Sequence, residues 1–94
     1  MINKEDIKKL IEAHGVEETL DICFEEFGEL IQAISKAKRK QRAGRSIDWY
    51  NLLEEMSDVL ICIELLKETF TITDFAIETE VEKKMKRNLK RIEA

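Results

Sequence analysis

Apolar residues recur along most of this chain at the three- and four-residue spacing that places them on one face of a helix. Breaks in this pattern divide the chain into four predicted helices. The first three cover residues 4–13, 16–41 and 47–69. The fourth begins after a short connection, "TFTIT", and runs to the C-terminus. A strand in "VLICIELL" or "FTIT" is the main alternative. Acidic, leucine-rich flanks favour a helix for the first, and the second is short and has no partner strand. The pattern therefore predicts an all-α fold, an antiparallel bundle of about four helices.

The breaks carry residue types that begin and end helices. Gly15 and Gly44 are expected to end the first and second helices, because glycine tolerates the backbone conformations that follow a helix. The N-caps expected for the first, third and fourth helices are Asn3, Ser46 and one of Thr71 and Thr73.

Each long helix shows an apolar stripe that is predicted to face the core. The three stripes are Leu20, Cys23, Phe27, Leu30, Ile31 and Ile34; Leu52, Met56, Val59, Ile63 and Leu66; and Val81, Met85, Leu89 and Ile92. Residues 59–63 are apolar on every side, so the third helix is expected to be buried on most sides. The cysteines at positions 23 and 62 are expected to be reduced packing residues, since they lack the spacing of zinc ligands.

The composition agrees with long helices, because the 94 residues include no proline and three glycines. A chain this short is expected to form one domain, residues 1–94, with a limited core of the kind that often needs help from a metal, a disulfide or a partner chain. Its net charge of −4 gives no electrostatic reason to bind nucleic acid or an anionic membrane, so neither is predicted as a partner. With no long apolar run and no signal-peptide core, a cytoplasmic location is expected.

Two pairs of acidic residues lie beside the predicted core. Glu26 and Glu29 share a face of the second helix, and Glu55 and Asp58 share a face of the third, where Glu55 falls inside the apolar stripe. A carboxylate that points into a core must be neutralised, paired or bound to a metal. If the two helices pack antiparallel, the pairs face each other, and four oxygen ligands of this kind suit Mg²⁺ or Mn²⁺. The alternative is that these acids are a solvated helix face.

Two further observations bear on this metal-site hypothesis. Gly28 lies inside the second helix, where glycine needs a reason such as a close helix crossing or room for a ligand beside Glu29. A di-iron bundle would need Glu-x-x-His motifs, and His14 is the one histidine of the chain, without that spacing.

Two basic runs, residues 36–45 and 83–91, hold six cations each. Most of these cations are explained by compensation of a helix dipole at a C-terminus and by their contribution to solubility. Lys84 and Asn88 share one face of the last helix, and a site that holds Mg²⁺ and a polyphosphate needs cations to balance the phosphate charge.

The order Glu25-Glu26-x-x-Glu29, then Glu55-x-x-Asp58, resembles the signature of the MazG-like, all-α nucleoside triphosphate pyrophosphohydrolases. The surrounding "ELIQAISKAKR" and "LLEEMSDVLICIELL" resemble that family as well, and the resemblance runs from about residue 20 to the C-terminus. It implies that the last four of these acids bind Mg²⁺ and that Glu25 orients water or a further metal.

The resemblance also implies a reaction and an assembly. Members cleave a nucleoside triphosphate between its α and β phosphates, which gives the monophosphate and pyrophosphate, and they assemble as dimers or tetramers. On this basis Glu25, Glu26 and Glu55 are the expected catalytic residues. Lys84 lies where members often contact phosphate, and Asn88 stands where some members carry a basic residue.

The sequence thus predicts a Mg²⁺-dependent nucleoside triphosphate pyrophosphohydrolase, with nucleotide-pool house-cleaning as one role and oligomerisation to complete the core. One alternative is the phosphoribosyl-ATP pyrophosphatase of histidine synthesis, which shares the acid pattern. Another, from a different class, is a helical dimerisation module without catalysis. Trp49, Tyr50 and Phe24 could stack on a base, although a core role is the favoured interpretation of each.

Overall fold

The computed structural model describes residues 1–93. They form four helices: α1 (Lys4–His14), α2 (Val16–Arg42), α3 (Trp49–Phe70) and α4 (Asp74–Glu93). No strand occurs within these residues. The prediction of an all-α fold with four helices is therefore confirmed.

The first break in the helical pattern behaves as predicted. The side chain of Asn3 caps α1, because its Oδ1 accepts hydrogen bonds from the backbone N–H groups of Glu5 and Asp6 at 2.8 and 3.3 Å. Gly15 ends α1 and immediately precedes α2. Its φ of 80° and ψ of 165° lie in a backbone region that is almost restricted to glycine. This residue therefore makes the sharp corner between the first two helices.

The caps of α3 and α4 differ in part from the prediction. Ser46 is not the N-cap of α3, because Asp48 takes that role and its Oδ1 accepts a hydrogen bond from the N–H of Asn51 at 3.0 Å. Of the two threonine candidates before α4, Thr73 makes the bond, since its Oγ1 accepts from the N–H of Ala76 at 3.1 Å.

The helices α2 and α3 pack antiparallel and form the centre of the fold. The thiol of Cys23 donates to the backbone oxygen of Cys62 at 3.8 Å, and residues later in α2 meet residues earlier in α3. With Ile7 and Leu65, these cysteines form the buried core, and α1 packs against both long helices. Both cysteines are free and buried, as predicted for packing residues. Burial raises the pKa of the Cys62 thiol to about 12.

Large apolar side chains on the outer faces of α2 and α3 remain exposed, which corrects the predicted stripes. Ile31 and Met56 are 67% and 55% exposed, and Ile34 and Ile63 are exposed as well. The residues of α3 that enter the core are Cys62 and Leu65. Because α3 is apolar on nearly every side, periodicity could not distinguish the face that packs within the chain from the face that does not.

The last helix, α4, packs against none of the other three in the part of the chain that the structure describes. An ion pair between Lys67 and Asp74 joins its first residue to α3. Its predicted stripe, Val81 to Ile92, is therefore exposed in the single chain. The radius of gyration is 16.5 Å, whereas a compact domain of this length has about 12 Å. Within the described residues, no helix combines the length and the apolar character needed to cross a membrane.

Candidate metal centre

Four carboxylates from the two central helices converge at one place. Each of Glu26, Glu29, Glu55 and Asp58 offers an oxygen, and the four oxygens all lie within 4.8 Å of one another. Spacing of i and i+3 puts two acids on one face of each helix, and antiparallel packing sets the two faces opposite each other. We call these four residues the carboxylate cluster.

Two oxygens of the cluster are buried without a partner. Glu26 Oε2 and Glu55 Oε2 have no hydrogen-bond partner among residues 1–93. None of the ion pairs found in the described part of the chain involves a cluster residue. The side chains of Glu26 and Glu55 are half-buried as a whole. A carboxylate oxygen that is buried without a counter-charge is unfavourable on an anion, so these two oxygens carry a cost in stability.

Burial and crowding change the acidity of the cluster. Burial raises the pKa of Glu26 from 4.5 to about 7, and the charge of Asp58 adds to the effect, followed by that of Glu29. The pKa of Glu55 is also raised, first by burial and then by its contact with Glu29. The metal-free cluster therefore retains protons at a pH where isolated glutamates have lost them. A bound cation would offset the repulsion between the carboxylate charges and so favour release of these protons.

The donor set fits a hard divalent cation. Oxygens bound to one Mg²⁺ at about 2.1 Å lie at most about 4.2 Å apart. The 4.8 Å spread of the cluster oxygens is close to that limit, so small side-chain rotations suffice to bring them onto one ion. All four donors are carboxylate oxygens, the ligand type that Mg²⁺ and Mn²⁺ prefer.

Three other predicted site residues lie outside the cluster. Glu25 is exposed on α2, next to Glu26 in sequence, and its oxygens are not among those that converge. Lys84 and Asn88 are exposed on α4, which packs against neither helix of the cluster. Within one chain the structure thus brings four of the seven predicted site residues together.

Gly28 does not serve the close helix crossing that the sequence suggested. A Cβ atom built at this position would have nothing within 4 Å apart from its own helix and chain neighbours. The position lies open, so the single chain gives no packing reason for a glycine inside α2.

A cavity of about 150 Å³ adjoins the cluster between α1, α2 and α3. Glu26 and Asp58 belong to its wall as well as to the cluster, and Leu10, Ile22 and Ile61 line it with aliphatic surface. This cavity was not predicted from the sequence, because the acidic motif involves only α2 and α3, whereas α1 completes the wall. The signal was present, since Leu10 and His14 continue the helical stripe of α1 that begins at buried Ile7.

Comparison with known proteins gives one match. The family model described as the MazG nucleotide pyrophosphohydrolase domain matches residues 14–92, which include the whole carboxylate cluster, α3 and nearly all of α4. No curated protein and no solved structure matches the chain.

Proposed function

Because the chain belongs to the MazG nucleotide pyrophosphohydrolase domain family, we propose that it hydrolyses nucleoside triphosphates between the α and β phosphates. The products are a nucleoside monophosphate and pyrophosphate. Family membership supports nucleotide pyrophosphohydrolase activity in general. The observation that carries the proposal is the convergence of four carboxylates, two of which have a buried oxygen without a partner.

The carboxylate cluster is the proposed metal site of this enzyme. Glu26, Glu29, Glu55 and Asp58 would hold Mg²⁺, or Mn²⁺ in its place. A bound ion supplies positive charge that neutralises the triphosphate and favours attack on phosphorus. Glu26 and Glu55, which each have a buried oxygen without a hydrogen-bond partner among the described residues, would fix the position of that charge. Glu25, exposed beside them, is the proposed residue that orients the attacking water.

The shape of the chain supports a homodimer or homotetramer as the working form. The accessible surface is 7714 Å², whereas a compact monomer of 11.0 kDa exposes about 5,600 Å². The excess of about 2,100 Å² is what one subunit buries in an obligate interface. We propose that α4 docks against a second copy, and that Lys84 and Asn88 contact the triphosphate in that assembly.

The first test is an assay of the purified protein with Mg²⁺ and a panel of nucleoside triphosphates, with release of pyrophosphate and monophosphate as the readout. Phosphoribosyl-ATP belongs in the panel, since it separates the histidine-synthesis alternative from the general activity. We expect pyrophosphate release that depends on Mg²⁺. Release of orthophosphate in place of pyrophosphate would contradict the proposed site of cleavage.

Two adjacent substitutions test the metal site. Glu55→Gln removes an anionic ligand of the proposed ion and is expected to lower kcat by about 100-fold or more, because the ion that would neutralise the triphosphate is then held less well. Glu54→Gln, one residue earlier and exposed, is the matched control and is expected to keep the activity. Circular dichroism should show the same helical content for both. A fully active Glu55→Gln enzyme would sink the assignment.

A further inference from the structure

The cavity between α1, α2 and α3 opens beside the carboxylate cluster, and two residues belong to both. Glu26 and Asp58 lie in the cavity wall and in the group of converging carboxylates. A substrate whose phosphates are held at the cluster can therefore extend its other end into the cavity without leaving the protein surface. This step rests on the proposed function, because it takes the cluster as the place where phosphates are held.

The lining of the cavity suits a flat, weakly polar ring. Leu10, Ile22, Ile61 and Leu65 supply aliphatic surface, and the Cys62 thiol is buried and protonated. The Thr19 hydroxyl is already engaged as a donor, because it donates to the backbone oxygen of Gly15 at 2.7 Å. Sites for organic ligands typically combine such apolar walls with a few polar groups at one end. Here the polar end is formed by the two acids that the cavity shares with the cluster.

The imidazole of His14, at the cavity, could also contact the face of a ligand ring. His14 belongs to the lining, and its Nδ1 lies 3.4 Å from Glu18 Oε1. This contact joins the imidazole, at the end of α1, to the first turn of α2, and the imidazole remains partly exposed. An aromatic side chain in this position can stack on a planar ligand.

The volume of the cavity distinguishes between the two kinds of nucleobase. It measures about 150 Å³, and an aliphatic cavity of about 150 Å³ holds a single benzene ring. The cavity is partly open to solvent. A pyrimidine has one six-membered ring, which this volume holds, whereas the second, fused ring of a purine would extend beyond the aliphatic walls toward solvent. We propose that the cavity is the base subsite and that the enzyme prefers pyrimidine over purine nucleoside triphosphates.

A matched pair of isoleucines tests the proposal. Ile61 lines the cavity and Ile63 does not, and both are 38% exposed on the same helix. Ile61→Phe fills the cavity, so it is expected to lower kcat/KM for CTP and UTP at least about 10-fold, mainly through KM. Ile63→Phe adds the same ring elsewhere and is expected to leave the ratio of pyrimidine to purine kcat/KM unchanged. Stabilisation of Ile61→Phe by Mg²⁺ would show that its carboxylate cluster is intact.

The wild-type protein gives the direct comparison. We expect kcat/KM for CTP and UTP to exceed that for ATP and GTP at least about 10-fold, the discrimination that a pocket of fixed size provides. Equal or higher values for the purine nucleotides would overturn the base subsite and leave the proposed hydrolysis standing. So would a pyrimidine preference that survives Ile61→Phe unchanged.

A binding measurement separates the subsite from the reaction. Calorimetric titration with CMP and with AMP, in the presence of Mg²⁺, reports on the cavity without any turnover. Tighter binding of CMP that is lost in Ile61→Phe would support the subsite even if no triphosphate were hydrolysed, in which case the proposed function alone would fail. Equal affinity for CMP and AMP, or no binding of either, would overturn the subsite.

Discussion

At the scale of single residues, two of the four members of the carboxylate cluster stand out. Glu26 and Glu55 each bury an oxygen that has no hydrogen-bond partner among the described residues, and burial raises the pKa of both. A cation and a proton therefore compete for the same oxygens. This competition makes the response to Mg²⁺ depend on pH.

The pH dependence follows from the sign of the Glu26 shift. The pKa of this carboxyl is about 7 in the folded chain, whereas the ordinary pKa of a glutamate is 4.5, so the folded state holds the proton more tightly. Its contribution to the free energy of unfolding is fully present below pH 4.5 and is lost as pH rises through about 7. We expect Mg²⁺ to raise the melting temperature more at pH 8 than at pH 5.5, since the cluster is then deprotonated.

Thermal denaturation with Mg²⁺ and with a chelator, at both pH values, measures this effect. Glu26→Gln removes one of the two carboxyl groups whose pKa is raised and should reduce the pH dependence in the chelator. An equal or larger response to Mg²⁺ at pH 5.5 would show that protons and Mg²⁺ do not compete for the Glu26 carboxylate.

The convergence of the four cluster residues could be predicted from the sequence for a simple reason. Acids at i and i+3 beside an apolar stripe are visible in a helical pattern, and Glu55 falls inside such a stripe. The place of His14 and Leu10 in the cavity wall could not be predicted, because it depends on how α1 lies against α2 and α3. Local periodicity carries no information on that packing.

At the scale of elements, two glycines have different effects on α2. Gly15 precedes the helix, and Gly28 lies inside it. Gly15 adopts a φ of 80° that other residues rarely accept. Gly28 lies in a regular helical turn with open space around it. The first is required by the backbone, whereas the second only loosens the helix.

Alanine substitutions should separate these two roles. Gly28→Ala is expected to raise the free energy of unfolding by about 1 kcal/mol, because alanine favours the helix interior. Gly15→Ala is expected to lower it by about 1–3 kcal/mol, because alanine is strained at that corner. Urea denaturation measures both. A loss of stability in Gly28→Ala would show that another surface, such as a second copy of the chain, packs against that position.

Helix boundaries show the same division between local and long-range information. The breaks at Gly15 and Gly44 come from backbone preferences, so the predicted ends of α1 and α2 fall within one residue of those observed. The start of α3 was predicted two residues too early, because both Ser46 and Asp48 are able to cap and the fold uses the second. Which face of α3 turns inward also depended on neighbours, and the sequence alone selected Met56 and Ile63, which are exposed.

At the scale of the whole molecule, α4 is the helix that packs against none of the others in the described residues of the single chain. Its apolar stripe is exposed along its length, and the opposite face carries cations that include Lys86 and Lys90. This arrangement is typical of a helix that docks by one face and is solvated on the other. The stripe is therefore the surface on which the proposed oligomer can be tested.

Two neighbouring positions on α4 provide that test. Met85→Glu places a charge in the exposed stripe, and Lys86→Glu places the same charge on the basic face. Light scattering is expected to give at least about 22 kDa for the wild type and for Lys86→Glu, twice the chain mass of 11.0 kDa. Met85→Glu is expected to give the mass of one chain and to lose activity. A wild-type protein that is monomeric at micromolar concentration would contradict the proposed assembly.

The isolation of α4 has a consequence for how this protein behaves at different abundances. A helix of 20 residues is only marginally stable in water when nothing packs against it. If its order comes from association, then mass action couples folding to the amount of chain present, and the melting temperature rises with total concentration. Dilution would loosen α4 and remove Lys84 from any site it serves. The catalytic rate per chain would then fall below a threshold concentration, which makes expression level itself a control on the activity.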